Sequence, residues 1–194
     1  MMKVFVGLFV VLYITNTWTV SGQKSVTGTC TQFGRTQLPV FNMFSYMGLW
    51  FIQGRYDYAS TPELADCMTS VYRKTSWGHA DITERSKILT TNTPHQINSL
   101  MIFDNPTRGH YTYEIPSDNV ADWPVNILST DYISYSIEWS CFPNGTSVDT
   151  YIWVLSRLRY VDNLFNARIS KILRSHNIDE SSIRKINQNQ ALCS

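Results

Sequence analysis

Hydrophobic and polar positions alternate over short distances along most of the chain, and turn residues interrupt the alternation. From Leu49 to about Ser156, eight β-prone runs follow one another, separated by segments rich in Gly, Pro, Asn or Ser. The predicted strands cover residues 49–59, 67–74, 79–89, 96–103, 110–115, 125–129, 133–141 and 147–156. Eight strands at this spacing predict an antiparallel sandwich or barrel. Asn144-Gly145 predicts a tight hairpin between the last two strands.

The seventh run shows the clearest alternation, which predicts one dry and one wet face. The dry face carries Ile133, Tyr135, Ile137 and Trp139. The wet face carries Ser134, Ser136, Glu138 and Ser140. The eighth run is apolar on both faces, so something must cover it from outside.

An amphipathic helix is predicted directly after the last strand, from Asp162 to about Ser175. Its apolar residues recur at helical spacing and form one stripe, which consists of Phe165, Ile169, Ile172 and Leu173. Asp162 is a favourable N-cap residue, and Asn177 can adopt the left-handed backbone conformation that often ends a helix. Because the eighth strand needs an external cover, we expect this helix to dock on the outside of the sheet.

The first residues have the pattern of a secretory signal peptide. A basic Lys3 precedes an apolar run over 4–14, and small residues at 20–22 could host cleavage before Gln23. The apolar run is shorter than the roughly 20 residues that a membrane-spanning helix needs. This favours cleavage over a membrane anchor. The sequence therefore predicts a secreted, extracellular protein, with residues 1–22 as signal peptide and 23–194 as a single domain.

Composition narrows the function classes. Charged residues make up 16% of the chain and aromatic residues 13%, which indicates much β-structure or a large apolar cavity. Without Lys3 the basic residues balance the 15 acidic ones. No basic stripe or polybasic patch is visible, so neither nucleic acid nor a membrane surface is expected as a partner. No constellation of Ser, His and Asp or of paired carboxylates predicts a catalytic residue.

Four cysteines follow the signal segment: Cys30, Cys67, Cys141 and Cys193. An even number in an oxidising compartment predicts two disulfides, and the count alone leaves three pairings open. No Cys-x-x-Cys motif is present and the four His residues are scattered, so no metal site is predicted.

Three short motifs resemble the signature regions of the lipocalin family. They are Gly48-x-Trp50 on the first strand, Thr130-Asp131-Tyr132 between the sixth and seventh, and Arg157 at the end of the eighth. The stretches 127–132 and 151–157 are similar to the apolipoprotein D and insect bilin-binding branch. The resemblance covers nearly all of the mature chain. It implies an all-β fold, an eight-stranded antiparallel up-and-down β-barrel with one C-terminal α-helix packed outside.

The resemblance also assigns structural roles. It implies the disulfide pairs Cys30–Cys141 and Cys67–Cys193, each of which would tie a terminal segment to the barrel. Trp50 would plug the closed end, with Arg157 across its indole face and donating to backbone carbonyls. Gly48 would allow close backbone approach, and Asp131 would accept hydrogen bonds from turn amides.

Alternation along the strands, together with the resemblance, predicts which residues line a ligand cavity. They are Tyr56, Met68, Ser70, Tyr72, Ile82, Glu84, Tyr111, Tyr113, Tyr135, Ile137, Trp139, Tyr151 and Trp153. Tyr72, Glu84 and Trp153 match pocket positions of the family. For any one of these residues, filling a core is an equally good interpretation. As a set they suit a flat, mostly apolar ligand with polar ends.

The expected function is that of a secreted carrier of a small hydrophobic ligand of the bilin, retinoid, sterol, fatty acid or pheromone class. No cofactor is required, although a bound chromophore such as biliverdin fits this function. One alternative is a pigment-assembly or structural role as a homo-oligomer. A lipocalin-type isomerase is disfavoured because it needs a free thiol, and all four cysteines match disulfide positions of the family. Asn144 begins a glycosylation sequon on the expected surface.

Overall fold

The structure of the protein is a computed structural model that describes residues 24–30, 38–56 and 65–193. The predicted signal peptide lies outside these residues. The described strands are β1 (Lys24–Thr27), β2 (Gly48–Arg55), β3 (Ala65–Ser76), β4 (His79–Ile88), β5 (Thr93–Ile102), β6 (His110–Ile115), β7 (Val120–Thr130), β8 (Tyr135–Asn144), β9 (Ser147–Ser156) and β10 (Arg184–Lys185). The described α-helices are α1 (Met43–Tyr46), α2 (Asn163–Ser175) and α3 (Gln190–Cys193).

Strands β2 to β9 form the barrel. Each pairs antiparallel with the next, and β9 closes the sheet by pairing with β2 from Phe51↔Ser156 onwards. The eight predicted strands are all present, although β5 and β7 begin earlier than their apolar runs indicate. The β8–β9 hairpin turns at Asn144-Gly145, where Gly145 has a φ of 61°. The predicted up-and-down β-barrel is confirmed.

Two strands from the terminal segments extend the sheet, and the sequence pattern does not predict them. β1 pairs with the part of β9 that lies nearest the hairpin, and β10 pairs with β2. β3 follows β2 only as far as Phe51↔Thr69, and the C-terminal tail takes the edge of β2 beyond that point. The side-chain amide of Gln188 donates to the carbonyls of Ile52 and Met68, both at 2.8 Å. The tail therefore satisfies backbone groups that the separation of β2 from β3 would leave unpaired.

Gly54 makes the close approach of this tail feasible. A Cβ atom at this position would lie 2.7 Å from Cγ2 of Ile183, which is closer than packed carbon atoms can approach. The disulfide Cys67–Cys193 holds the end of the tail against β3, and Cys30–Cys141 holds the N-terminal segment against β8. Both pairs are those that the family resemblance implies.

Helix α2 packs on the outside of the barrel, as predicted. The Asp162 carboxylate accepts from the amide of Phe165 at 2.8 Å, and Asn177 adopts a left-handed φ of 56° just past the helix. The buried Ile169 and Leu173 belong to a cluster with apolar side chains on the outer faces of β8 and β9. This cluster is a second core, separate from the one inside the barrel.

Trp50 closes one end of the barrel. Its side chain is fully buried, and its indole Nε1 donates to the carbonyl of Tyr46 at 2.9 Å. The Arg157 guanidinium lies over the indole, with Cζ 3.6 Å from the ring centroid. The same guanidinium donates to five backbone carbonyls, those of Leu49 (2.7 Å), Met47 (2.9 Å), Tyr132 (3.0 Å), Ser45 (3.1 Å) and Tyr46 (3.1 Å).

The turn between β7 and β8 is built around Asp131. Its carboxylate accepts from the amides of Ser134 (2.7 Å), Tyr135 (3.0 Å) and Ile133 (3.2 Å). Burial raises the pKa of Asp131, but these hydrogen bonds and that of the Ser134 hydroxyl outweigh it and hold the pKa below its ordinary value. Thr130 donates to the carbonyl of Tyr135 at 2.7 Å and accepts from the amide of Tyr132. These contacts are structural rather than catalytic.

We expect Trp50→Ala to lower the free energy of unfolding by about 3–5 kcal/mol, because it removes a fully buried aromatic side chain and the face on which Arg157 stacks. Urea unfolding followed by circular dichroism measures this loss. Trp77→Ala is the matched control. Its side chain is 68% exposed, so its effect should stay within about 0.5 kcal/mol. Equal stability of the two variants would contradict the assignment of Trp50 as the plug.

Candidate functional site

A cavity of about 470 Å³ lies inside the barrel, between the Trp50 plug and the opposite end. Seven of the predicted cavity residues line it: Met68, Ser70, Tyr72, Glu84, Tyr111, Tyr113 and Trp153. They come from β3, β4, β6 and β9, where the predicted alternation of inward and outward side chains holds. That these side chains bind a ligand stays a prediction.

The prediction that Tyr135, Ile137 and Trp139 line the cavity is wrong. These side chains are buried on the outer face of β8, in the cluster beneath α2. Ile133, expected on the same face, precedes β8 and is exposed. On the face expected to be wet, Ser136, Glu138 and Ser140 are buried and point inward, whereas Ser134 precedes β8 and is half-buried. The apolar face of β8 is dry because the helix covers it, and alternation alone cannot distinguish a helix cover from a cavity wall.

Tyr56 is also outside the cavity, and a β-bulge explains why. The pairing of β2 with β9 shifts by one residue between Ile52 and Gly54. Such a shift exchanges inward and outward positions, so Arg55 takes the inward place expected for Tyr56. Tyr56 packs in the outer cluster instead, and its hydroxyl donates to the carbonyl of Asp179 at 2.8 Å.

Ile82 and Tyr151 do not line the cavity either, although each shares a strand face with residues that do. Ile82 is buried in the interior cluster that also contains Trp50, and it is not among the residues that line the cavity. The Tyr151 ring packs edge-on against Trp123, with ring centroids 4.9 Å apart, and stacks on Trp153 at 6.3 Å. Tyr151 therefore packs beside two residues of the cavity wall.

Several wall residues were not predicted from the sequence. They include Ile52, Arg55, Ala65, His95, Ile97, Trp123, Val125 and Glu138. Trp123 and Val125 lie on β7, whose run was predicted to begin only at Val125. Their alternation with Ile127 along one strand was the available signal. Glu138 had none, because a carboxylate between two serines is typical of an outer wet face.

Glu138 and three tyrosines form the floor of the cavity. The Glu138 Oε1 atom accepts from the hydroxyls of Tyr46 (2.7 Å), Tyr111 (3.0 Å) and Tyr72 (3.1 Å). The Tyr72 hydroxyl also lies 3.3 Å from Oε2. The Tyr46 oxygen is 2.9 Å from Oγ of Ser136. Since the single Tyr46 proton goes to Glu138, Ser136 is the donor in this second bond.

This environment shifts the pKa values of Glu138 and of the three tyrosines. Burial raises the pKa of Glu138 to about 7, although the hydrogen bonds from the three tyrosines lower it. Burial, followed by the charge of Glu138, raises the pKa of Tyr46, Tyr72 and Tyr111 well above the ordinary value. The phenols therefore keep their protons throughout the physiological range.

A second carboxyl, Glu84, lies higher on the wall. It accepts from the Tyr113 hydroxyl at 2.6 Å and from Ser70 at 3.4 Å. Burial raises the pKa of Glu84, whereas these hydrogen bonds and the charges of Arg55 and His95 lower it. Glu84 thus has cationic groups in its surroundings that help to balance its charge.

Two further observations concern residues outside the cavity. Asn144 is exposed at the hairpin tip, where its amide donates to Asp149 at 3.1 Å, and its glycosylation stays a prediction. In residues 24–30, 38–56 and 65–193, no three His, Cys, Asp or Glu side chains come together as a metal site requires. No helix in the same residues is long and apolar enough to cross a bilayer.

We expect Glu138→Gln to flatten the pH dependence of stability. The folded state keeps a proton on Glu138 between about pH 4.5 and pH 7 that the unfolded chain has lost, so the free energy of unfolding falls as the pH rises through this window. The loss in the parent amounts to roughly 3 kcal/mol, and glutamine removes it. Urea unfolding at pH 5 and pH 8 measures the difference.

The control is Glu114→Gln, which makes the same charge change on β6 at a position outside the cavity lining. It should follow the parent at both pH values. Parallel profiles for the parent and Glu138→Gln would show that the floor carboxyl does not titrate as described.

Comparisons with known proteins agree with this architecture. No profile of a known protein family matches the chain. The Lazarillo protein of Schistocerca americana is 28% identical over 167 residues, which cover 82% of this chain and 75% of that protein. Insecticyanin from the tobacco hornworm Manduca sexta superposes with a TM-score of 0.73 at 16% identity, covering 89% of this chain and 93% of insecticyanin.

Lobster apocrustacyanin A1 superposes with a TM-score of 0.70 at 19% identity, over 86% of this chain and 92% of its own. At such identities the two structures establish the fold. The similarity to Lazarillo adds a relationship in sequence, and the three motifs meet at the closed end of the barrel. Together, the barrel, the motif contacts and the similarity to Lazarillo support the resemblance of this chain to the lipocalin family.

Proposed function

We propose that the protein is a secreted carrier that holds a small, mostly apolar molecule in the barrel cavity. The observation that carries this proposal is a preformed cavity of about 470 Å³ above a sealed floor. This volume falls within the roughly 300–1,000 Å³ that is typical of small-molecule sites. Aromatic and aliphatic side chains dominate the wall, and a few polar groups interrupt it.

The wall is suited to binding rather than to covalent chemistry. All four cysteines are in disulfides, so the pocket thiol that a lipocalin-type isomerase would use is missing. Two of the carboxyls that line the cavity, Glu84 and Glu138, already accept hydrogen bonds from tyrosine hydroxyls. A ligand would therefore be held by apolar contact along most of its length and oriented by these polar groups.

The proposed ligand classes are bilin, retinoid, sterol, fatty acid and pheromone. Each has an extended or flat apolar body that can lie against Tyr113, Trp123 and Trp153. A bound chromophore such as biliverdin belongs to this set. Secretion is supported by the two disulfides, which persist in oxidising compartments, and by the predicted signal peptide.

An oligomeric assembly protein is the second candidate, and one surface favours it. Phe44 and Trp77 are 57% and 68% exposed at the closed end, with their ring centroids 6.4 Å apart. Exposed neighbouring aromatic side chains are typical of contact surfaces. Light scattering after size-exclusion chromatography separates this function from that of a monomeric carrier.

Native mass spectrometry of protein purified from its source should show one small molecule bound per chain. Titration of the ligand-free protein with retinol, progesterone, palmitate and biliverdin, followed by quenching of tryptophan emission, should give saturable binding of at least one of them. The absence of both a bound molecule and saturable binding would overturn the carrier function.

The matched variants are Ile97→Trp and Asn98→Trp, which are adjacent on β5. Ile97 lines the cavity, whereas Asn98 is exposed on the outer face. Tryptophan at 97 occupies ligand space, so we expect affinity to fall by about tenfold or more, as the loss of one well-filled subsite would cause. Asn98→Trp should bind like the parent. Equal affinities would place the ligand outside the barrel.

A further inference from the structure

The cavity floor offers hydrogen-bond acceptors and few donors. Each tyrosine hydroxyl has one proton, and those of Tyr46, Tyr72 and Tyr111 are all directed to Glu138. Three hydroxyl donors converge on Oε1, whereas Oε2 has only the longer contact of 3.3 Å to Tyr72. An ionised carboxylate accepts at about four positions, so Oε2 keeps acceptor capacity.

The three tyrosine hydroxyl oxygens differ in how much hydrogen-bond acceptor capacity they add to the floor. The Tyr46 oxygen already lies within hydrogen-bond distance of Ser136. Tyr72 and Tyr111 both line the cavity, and their hydroxyl oxygens keep lone pairs after donating to Glu138. A ligand end that reaches the floor therefore meets three acceptor atoms, namely Oε2 and the hydroxyl oxygens of Tyr72 and Tyr111. A carbonyl or carboxylate end would bring only further acceptors to this place.

The floor carboxyl also lacks a directly paired cation among the described residues, although the charge of Arg157 acts on Tyr46 from below. In the described part of the chain, no Lys, Arg or His forms an ion pair with Glu138. Glu138 is buried, with only 5% of the residue exposed. Glu84 differs, because the charges of Arg55 and His95 act on it. Arg157 lies beneath the floor, where five backbone carbonyls and the Trp50 ring engage its guanidinium.

We propose, on the basis of the carrier function above, that the floor is a subsite for the protonated amine end of an otherwise apolar ligand. The ammonium group has three N–H donors, which match Glu138 Oε2 and the hydroxyl oxygens of Tyr72 and Tyr111. Its charge pairs with the Glu138 carboxylate. A buried ion pair is favourable only when hydrogen bonds satisfy its remaining groups, and the two tyrosines supply them.

The ionisation of the floor sets the pH range of this preference. The titratable groups that face Glu138 are Tyr46 of α1, Tyr72 of β3, Tyr111 of β6 and, farther along the wall, Glu84 of β4. The phenols stay protonated, while the pKa of Glu138 is about 7. Glu138 is therefore mainly ionised at pH 8 and mainly protonated at pH 6. Affinity for an amine should fall between these two values.

Isothermal titration calorimetry with three probes of the same indole body tests the proposal. Tryptamine ends in an ammonium, tryptophol in a hydroxyl and indole-3-propionate in a carboxylate. At pH 8 we expect tryptamine to bind at least about tenfold more tightly than either of the others, as a charge-assisted hydrogen-bonded pair allows. Its advantage over tryptophol should shrink at pH 6.

Two substitutions locate the subsite. Glu138→Gln should abolish the preference for tryptamine while tryptophol still binds, which also shows that the variant is folded. Glu114→Gln, the same change outside the cavity lining, should keep the preference. Loss of the preference in Glu84→Gln but not in Glu138→Gln would overturn the assignment to the floor.

The two proposals fail in different ways. If tryptophol and the hydrophobic panel bind but tryptamine has no advantage at pH 8, the amine subsite is wrong and the carrier function stands. If none of the panel and none of the indole probes binds, both proposals are overturned.

Discussion

The contact between Arg157 and Trp50 is the one on which the rest of the barrel depends. An arginine with five backbone carbonyls around it and an indole under it joins the start of β2, the β7–β8 turn and the segment after β9. Gly48 contributes through its backbone, because its φ of 99° is a conformation that residues with a side chain rarely adopt. A charged group in this position is stable only because nearly every donor has a partner. The seal leaves the interior above it available for a ligand.

Tyr46 connects the Trp50 plug to the cavity floor. Its carbonyl accepts from both Trp50 and Arg157, and its hydroxyl donates to Glu138. The same residue therefore contributes to the seal from below and to the polar floor from above. Burying the Glu138 carboxyl without partners would cost free energy. The hydroxyls of three tyrosines donate hydrogen bonds to it. The floor is thus held by the same elements that close the barrel, which fixes its position relative to the wall.

Both faces of the wall formed by β8 and β9 are buried, the outer face under α2 and the inner face inside the barrel. Its outer side packs against α2 and carries Ile137, Trp139, Ile152 and Val154. Its inner side carries Trp153 and Leu155 of the cavity lining next to Ser136 and Glu138. Because the helix buries the outer side, the inner side is free to carry polar groups that a packed core would exclude. For this reason, a simple alternation pattern predicts that the cavity-facing side of β8 is the exposed side.

The sequence by itself determined the eight strands, the capped amphipathic helix, the hairpin at Asn144-Gly145 and the motif that seals the barrel. The strands, the helix and the hairpin depend on local periodicity and turn chemistry, which neighbouring residues specify, whereas the role of the sealing motif is implied by the family resemblance. Only the tertiary structure decided which face of β8 is internal, because the helix that covers one face comes from a later part of the chain. It also decided that Arg55 rather than Tyr56 points inward, since a one-residue bulge is set by pairing with β9. The hydroxyls of Tyr46, Tyr72 and Tyr111 converge on Glu138 from elements that meet only in the closed barrel. No local sequence pattern therefore predicts this cluster.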